Sequence, residues 1–251
     1  MAPLTNAQTT ELFHLAFLDV LSGRLDPARY VLKGGALLRY FFDSPRYSED
    51  IDLDISGVEP WGLEEKIDSV LGSGAMKVLL RAAGLSVAES SKPKQTATTR
   101  RWKVDIKVSG RPELVRTKIE FSNRNGEERY RLEAIPSRIV APYALRSPSV
   151  QHYTEDAPTE QKVRALGGRP EMQARDVFDL DLLLHRRPLA RGALDSQILS
   201  QAADVARQLP YAAFRDQVLP FLELDAVELY DTERAWEQMQ TFVAEKLEEA
   251  K

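Results

Sequence analysis

The 251-residue chain contains no cysteine, which excludes disulfides and thiolate-bound metal centres. Its three histidines, His14, His152 and His185, stand alone, with no pair at the i, i+4 spacing of a helical zinc site. They read as ordinary structural or surface side chains. No apolar run approaches the roughly 18 residues of a membrane-spanning helix. The amino-terminal stretch MAPLTNAQTTELF has neither the basic nor the apolar region of a secretion signal. A cytoplasmic protein without a membrane partner is therefore expected. Two phosphate-binding fingerprints are also missing, the G-x-x-x-x-G-K-[ST] loop and the G-x-G-x-x-G dinucleotide turn. A calcium loop counted from Asp50 would need glycine at its sixth position and glutamate at its twelfth, where Ile55 and Trp61 stand.

What is present is ordinary in bulk and uneven in detail. With 43% hydrophobic and 29% charged residues, the chain has the composition of a globular protein, and its length permits one or two domains. The net charge is −4. From Lys92 to Arg138, however, 13 basic residues face 6 acidic ones, while the remainder holds 21 basic against 32 acidic. That asymmetry is either a footprint for a polyanion or a solvated, salt-bridged surface.

Apolar periodicity sketches the elements. Leu12, Phe13, Ala16, Phe17, Val20 and Leu21 predict an amphipathic helix over residues 9–21. Tyr30-Val31-Leu32 reads as a short strand, broken by Gly34-Gly35, with a helix over residues 36–42. Ile51, Leu53 and Ile55 alternate with Asp50, Asp52 and Asp54, as a half-buried strand does. Residues 61–84 read as helix, broken near Gly72 and Gly74. Residues 102–108 and 118–121 alternate as two further strands. The polar stretch 146–160 reads as a connection, followed by helices at 160–166, 174–184 and around Trp236–Leu247. The expected architecture is a mixed α/β (α+β) domain over residues 1–145 and a helical C-terminal domain over residues 146–251.

Two short motifs carry the chemistry. Alternate strand residues point the same way, so Asp50 and Asp52 project together from one face. Carboxylates held that close repel unless a cation lies between them, and such oxygen ligands suit Mg²⁺ shared with substrate phosphates. An exposed acidic strand face is the competing reading, although aspartate is depleted in strands. A phosphatase-type nucleophile at Asp52 would follow a buried apolar strand, whereas Arg46-Tyr47-Ser48-Glu49 precedes it. Upstream, Gly34-Gly35 between a strand and a helix lets backbone approach a phosphate at a helix N-terminus. Alone, that pair would be a tight turn.

Glycine pair, short helix and Asp-x-Asp strand, in that order, resemble the polymerase-β-like nucleotidyltransferase superfamily. More narrowly, KGGALLRYFF…RYSEDIDLD is similar to the AbiEii family of nucleotidyltransferase toxins, which includes the MenT toxins. Lys118-Ile119-Glu120 resembles that family's central strand. Residues 160–166 (EQKVRAL), Arg169-Pro170 and residues 174–180 (ARDVFDL) resemble its downstream lysine and Arg-Asp-x-x-Asp-Leu motifs. The last 65 or so residues match no motif.

The resemblance implies a small mixed sheet carrying the site, a helical domain closing over it, and transfer of a nucleoside monophosphate from an NTP with release of pyrophosphate. It implies a type IV-like toxin–antitoxin or phage-defence protein. The expected partners are an RNA acceptor, tRNA first, and an antitoxin from a neighbouring gene. It assigns Asp50 and Asp52 to Mg²⁺, with Glu120 as third carboxylate and Asp105 as runner-up. Gly34 and Gly35 would cradle phosphate, with Ser48 as a hydroxyl donor. Arg46 would neutralise phosphate or pair with Glu49. Lys162 would reach the triphosphate from the helical domain. Asp176 and Asp179, one helical turn apart, would orient Lys162, cap the site, or pair with Arg175 and Arg169; Asp176 is counted with the catalytic residues and Asp179 with the nucleotide site. The chain departs from the superfamily in the 14 residues between Gly35 and Asp50 and in having glycine where many relatives have serine. A protein or small-molecule acceptor, a non-catalytic regulatory module and a γ-phosphoryl transferase remain as alternatives.

Overall fold

The computed structural model describes residues 3–96, 98–123, 129–154 and 156–251, without the side chain of Pro60. The chain forms two units, Met1–Phe41 with Tyr47–Tyr153, and Phe42–Arg46 with Thr154–Lys251.

In the first unit a capping box opens α1 (Asn6–Ser22). Thr5 Oγ1 accepts from the Gln8 amide and Gln8 Oε1 accepts from the Thr5 amide, satisfying two otherwise orphaned donors. There follow β1 (Tyr30–Lys33), α2 (Gly34–Phe41), β2 (Asp50–Ile55), α3 (Pro60–Leu71) and α4 (Gly74–Ala82). The chain continues through β3 (Leu85–Gln95), β4 (Thr99–Val108), β5 (Leu114–Asn123), β6 (Tyr130–Ala134), α5 (Ser137–Val140) and β7 (Ser149–Tyr153). The strands make one mixed sheet in the order β3-β4-β5-β2-β1-β7-β6. The β2–β5 and β1–β7 pairs are parallel and the others antiparallel.

One face of this sheet is apolar. Ile51, Leu53, Trp102, Val104, Ile106, Ile119 and Phe121 are buried there, and α1, α3 and α4 pack with them. The alternate residues of β2, β4 and β5 turn to the opposite face, which is why the pattern of these three strands was readable. β3 and β6 were not readable because they are edge strands with almost no buried side chains. Part of the stretch expected to be a connection is β7, whose Gln151 and His152 disguise a strand that buries Val150, His152 and Tyr153.

The first helix also differs from expectation. Every residue from Thr9 to Leu21 is buried, so α1 is a core helix rather than a one-faced surface helix. Its two buried carboxylates are tolerated because they are paired. Glu11 accepts from Arg39 Nε at 2.8 Å and from the Tyr143 hydroxyl at 2.7 Å. Asp19 accepts from Arg146 at 2.6 Å.

The second unit is helical: α6 (Ala157–Gly168), α7 (Ala174–Arg186), α8 (Ser196–Gln208), α9 (Tyr211–Gln217), α10 (Leu224–Tyr230) and α11 (Glu233–Glu249). Its core centres on Trp236, stacked on Phe214 with ring centroids 4.8 Å apart and donating Nε1–H to the Leu209 carbonyl at 3.0 Å. Residues 42–46 join this unit through a backbone bridge between Arg46 and Leu222 and a 3.0 Å bond from the Glu223 amide to the Pro45 carbonyl.

Candidate active site

In the sheet unit, Asp50 and Asp52 project from the solvent-facing side of β2, as their spacing requires. Asp52 is the register partner of Lys33 on β1 and of Glu120 on β5, so three strands meet at it. Gly34, at the junction of β1 and α2, has φ of +69°, a conformation that favours glycine. A Cβ placed there would lie 2.7 Å from Asp52 Oδ2. Glycine is thus required twice, for the turn and for the room it leaves a carboxylate. Ser48 donates its hydroxyl to the Asp50 carbonyl at 2.7 Å and steadies the entry to β2.

The acidic strand is not uniform. Asp54 is 4% exposed, forms an ion pair with Lys33 and accepts from the Tyr153 hydroxyl at 2.8 Å. It ties β1, β2 and β7 together. Asp50 receives Lys118 Nζ at 2.8 Å, and Glu120 receives Arg101 at 2.5 Å. These two cations, unassigned from the sequence, lie on the same face by the same alternation. Asp105 lies on β4, beyond β5, opposite Arg116. Of the two candidates for a third carboxylate, Glu120 is the one beside Asp52.

Behind Asp50 lies a buried relay. Thr117 Oγ1 donates to the Glu49 carbonyl at 2.7 Å, and His14 Nε2 lies 2.7 Å from the same hydroxyl oxygen. Because the hydroxyl has given away its only proton, His14 must donate from Nε2, which sets the tautomer. Burial, opposed in part by the Asp50 charge, lowers the His14 pKa to about 4, so the ring is neutral near pH 7.

The helical unit gathers the other expected residues. Lys162 Nζ lies 2.9 Å from Asp176 and 2.6 Å from Asp179, so the one-turn spacing on α7 does place both carboxylates on one cation. Arg169 takes the second oxygen of Asp176 at 2.8 Å. Arg46 grips Asp179 through Nε at 3.2 Å and Nη2 at 3.0 Å. Both aspartates are fully buried and Arg46 is 3% exposed. Burial alone would lower the Lys162 pKa, but the two carboxylates outweigh it and the net shift is upward. Burial alone would raise Asp179, but Arg46 and Lys162 outweigh it and hold the carboxyl below its usual range. Lys162 and Asp179 are therefore both charged near neutral pH. Arg46 and Asp179, expected at a nucleotide, are here engaged with each other.

The sheet unit thus brings together Gly34, Gly35, Ser48, Asp50, Asp52 and Glu120, and the helical unit brings together Arg46, Lys162, Asp176 and Asp179. Among the described residues no three His, Cys, Asp or Glu side chains converge as a ready-made metal cage. A cage is not what Mg²⁺ beside a triphosphate requires, since one or two carboxylates plus substrate phosphates suffice. Asp50 and Asp52 meet that need: two hard oxygen donors on one solvent-facing side, with the space beside Asp52 kept open at Gly34. The donor set fits the ion.

The family model for nucleotidyl transferase AbiEii toxins of type IV toxin–antitoxin systems matches residues 16–249. No curated protein matches the chain. The crystal structure of JHP933 from Helicobacter pylori is similar in fold, with a TM-score of 0.58 and 19% identity over 99% of this chain and 96% of that one. A second H. pylori structure, described as a candidate nucleotidyltransferase, aligns with a TM-score of 0.61 and 19% identity over 99% of both chains.

Proposed function

This chain belongs to the AbiEii nucleotidyltransferase toxin family of type IV toxin–antitoxin systems, and we propose that it transfers a nucleoside monophosphate from an NTP to an RNA acceptor. The tRNA 3′ end is the first acceptor to test. The acceptor hydroxyl oxygen bonds to the α-phosphorus while the bond to the departing pyrophosphate breaks. The observation that carries this reading is Gly34 beside Asp52, which sets a phosphate-accessible turn against a carboxylate pair.

On this reading Asp50 and Asp52 hold Mg²⁺, with Glu120 as the adjacent third carboxylate. The chemistry supplied by the bound ion is charge neutralisation at the triphosphate and activation of the attacking hydroxyl. Gly34 and Gly35 present backbone to phosphate. Ser48 and the His14–Thr117 pair hold the β2 entry, and with it Asp50, in place. Lys162 binds phosphate as a point charge, kept ionised and oriented by Asp176 and Asp179. Arg46 fixes Asp179, and through it Lys162. An antitoxin partner belongs to the same proposal, as does a cytoplasmic setting. Among the described residues no helix is long and apolar enough to cross a membrane.

A protein or small-molecule acceptor is the second reading. The excess of basic residues between Lys92 and Arg138 favours a polyanion over both. The test combines purified protein, Mg²⁺, each of the four α-labelled NTPs and total tRNA, beside an Asp50→Ala/Asp52→Ala variant. Label on tRNA with the wild type alone supports the proposal. A folded wild type that labels no RNA with any NTP overturns it, and release of nucleoside diphosphate in place of pyrophosphate identifies a kinase.

A further inference from the structure

The sheet face that carries Asp50 and Asp52 continues across β5, β4 and β3 as a cationic surface. Register places its side chains in rows perpendicular to the strands. One row runs Asp50, Lys118, Lys103, Ser91, and the next runs Asp52, Glu120, Arg101, Lys94. Arg116 on β5 and Lys107 on β4 share the face. Within β3, β4 and β5 it therefore holds six cations, Lys94, Arg101, Lys103, Lys107, Arg116 and Lys118. The anions there are Glu89, Asp105 and Glu120.

Lys118, Arg101 and Arg116 are engaged by Asp50, Glu120 and Asp105, but two features show that the face carries more positive charge than its own carboxylates take up. Lys103 and Lys118 are direct cross-strand partners, and like charges so placed repel. Lys94, Lys103 and Lys107 are exposed and make no ion pair with any described residue. The repulsion and the unspent charge both point to an external polyanion. With strands about 4.8 Å apart, Lys103 lies two strands, about 10 Å, from Asp50. The aromatic residues of these strands, Trp102 and Phe121, are buried on the opposite face, so no ring is presented here for a base to stack on.

We propose that this face binds the phosphodiester backbone of the RNA acceptor and leads its reacting end to Asp50 and Asp52. The inference rests on the nucleotidyl-transfer reading for its direction, but its contacts are testable without catalysis. Phosphate contacts position a nucleic acid without reading its sequence, so binding is salt-dependent and indifferent to base identity.

The experiment measures fluorescence anisotropy of a labelled unstructured RNA oligonucleotide over a salt series, with full-length wild type, Lys103→Glu/Lys107→Glu and Lys94→Gln/Lys103→Gln/Lys107→Gln. These side chains are exposed, so folding is preserved, and thermal melting verifies it. The charge-reversal variant is expected to bind about tenfold more weakly, and the neutral triple variant to flatten the salt slope by about 0.7 for each lysine removed. In the labelling assay KM for RNA rises while kcat and NTP binding hold. RNA binding and salt slope unchanged in both variants would overturn the proposal, as would a wild type that binds no RNA, which would leave an acidic protein partner to explain the surface. If the wild type binds RNA through these lysines yet labels none of it, the surface stands and the transfer reading fails.

Discussion

The Cβ that Gly34 lacks would stand 2.7 Å from Asp52 Oδ2. That one relationship links the two motifs of the sequence, since the turn after β1 is shaped by the need to leave a carboxylate of β2 undisturbed.

Gly34→Ala is therefore expected to damage activity more than stability. The positive φ costs a non-glycine residue about 1–2 kcal/mol, which a domain of this size tolerates. The contact with Asp52, however, is relieved only by moving the carboxylate. Urea denaturation should show a modest loss, and the α-label assay a loss of at least about tenfold. A variant with wild-type activity would show that Asp52 does not need its position.

Asp52→Asn and Asp54→Asn should separate ligand from scaffold, although the two residues are neighbours on one face. Asp52→Asn should abolish Mg²⁺-dependent labelling, by at least about 100-fold, and leave the melting temperature nearly unchanged. Asp54→Asn should retain Mg²⁺ affinity by calorimetry. It should also lower stability by about 1.5–3 kcal/mol, because it leaves Lys33 without its charged partner.

Asp179→Ala should be among the most destabilising single changes in the helical unit. It leaves Arg46 and Lys162 charged and buried, a situation that costs about 3–5 kcal/mol. In the wild type, the folded carboxyl titrates below its unfolded value. Its contribution is thus complete at neutral pH and is lost as pH falls through the folded pKa, below the ordinary carboxylate range. Chemical denaturation between pH 7 and pH 3 would show this acid-side slope in wild type and its reduction in Asp179→Asn.

His14 has the same dependence in a different window. Its folded pKa of about 4 lies below the ordinary imidazole value of 6.5, so between the two the unfolded chain binds a proton there that the folded chain does not. Stability contributed by neutral His14 is complete above pH 6.5 and declines as pH falls towards 4, by about 3 kcal/mol in total. His14→Gln should flatten that segment of the stability curve. An unchanged slope would mean that the ring takes up its proton in the folded state.

The sequence by itself determined whatever depends on neighbours along the chain. Asp50 and Asp52 share a face because a pleated strand repeats every two residues, and Asp176 and Asp179 share one because a helix repeats every 3.6. Gly34 after a strand announced a turn, and family membership was legible in the order of these local motifs. Tertiary structure decided whatever depends on partners distant in sequence. It placed Glu120 beside Asp52 and left Asp105 beyond β5. It took Asp54 out of the acidic row for Lys33 and Tyr153. It joined Arg46 to Asp179 across 133 residues and buried α1 on all sides. Strand order and ion pairing are settled by which surfaces exclude water together, and periodicity in a single segment carries no record of that choice.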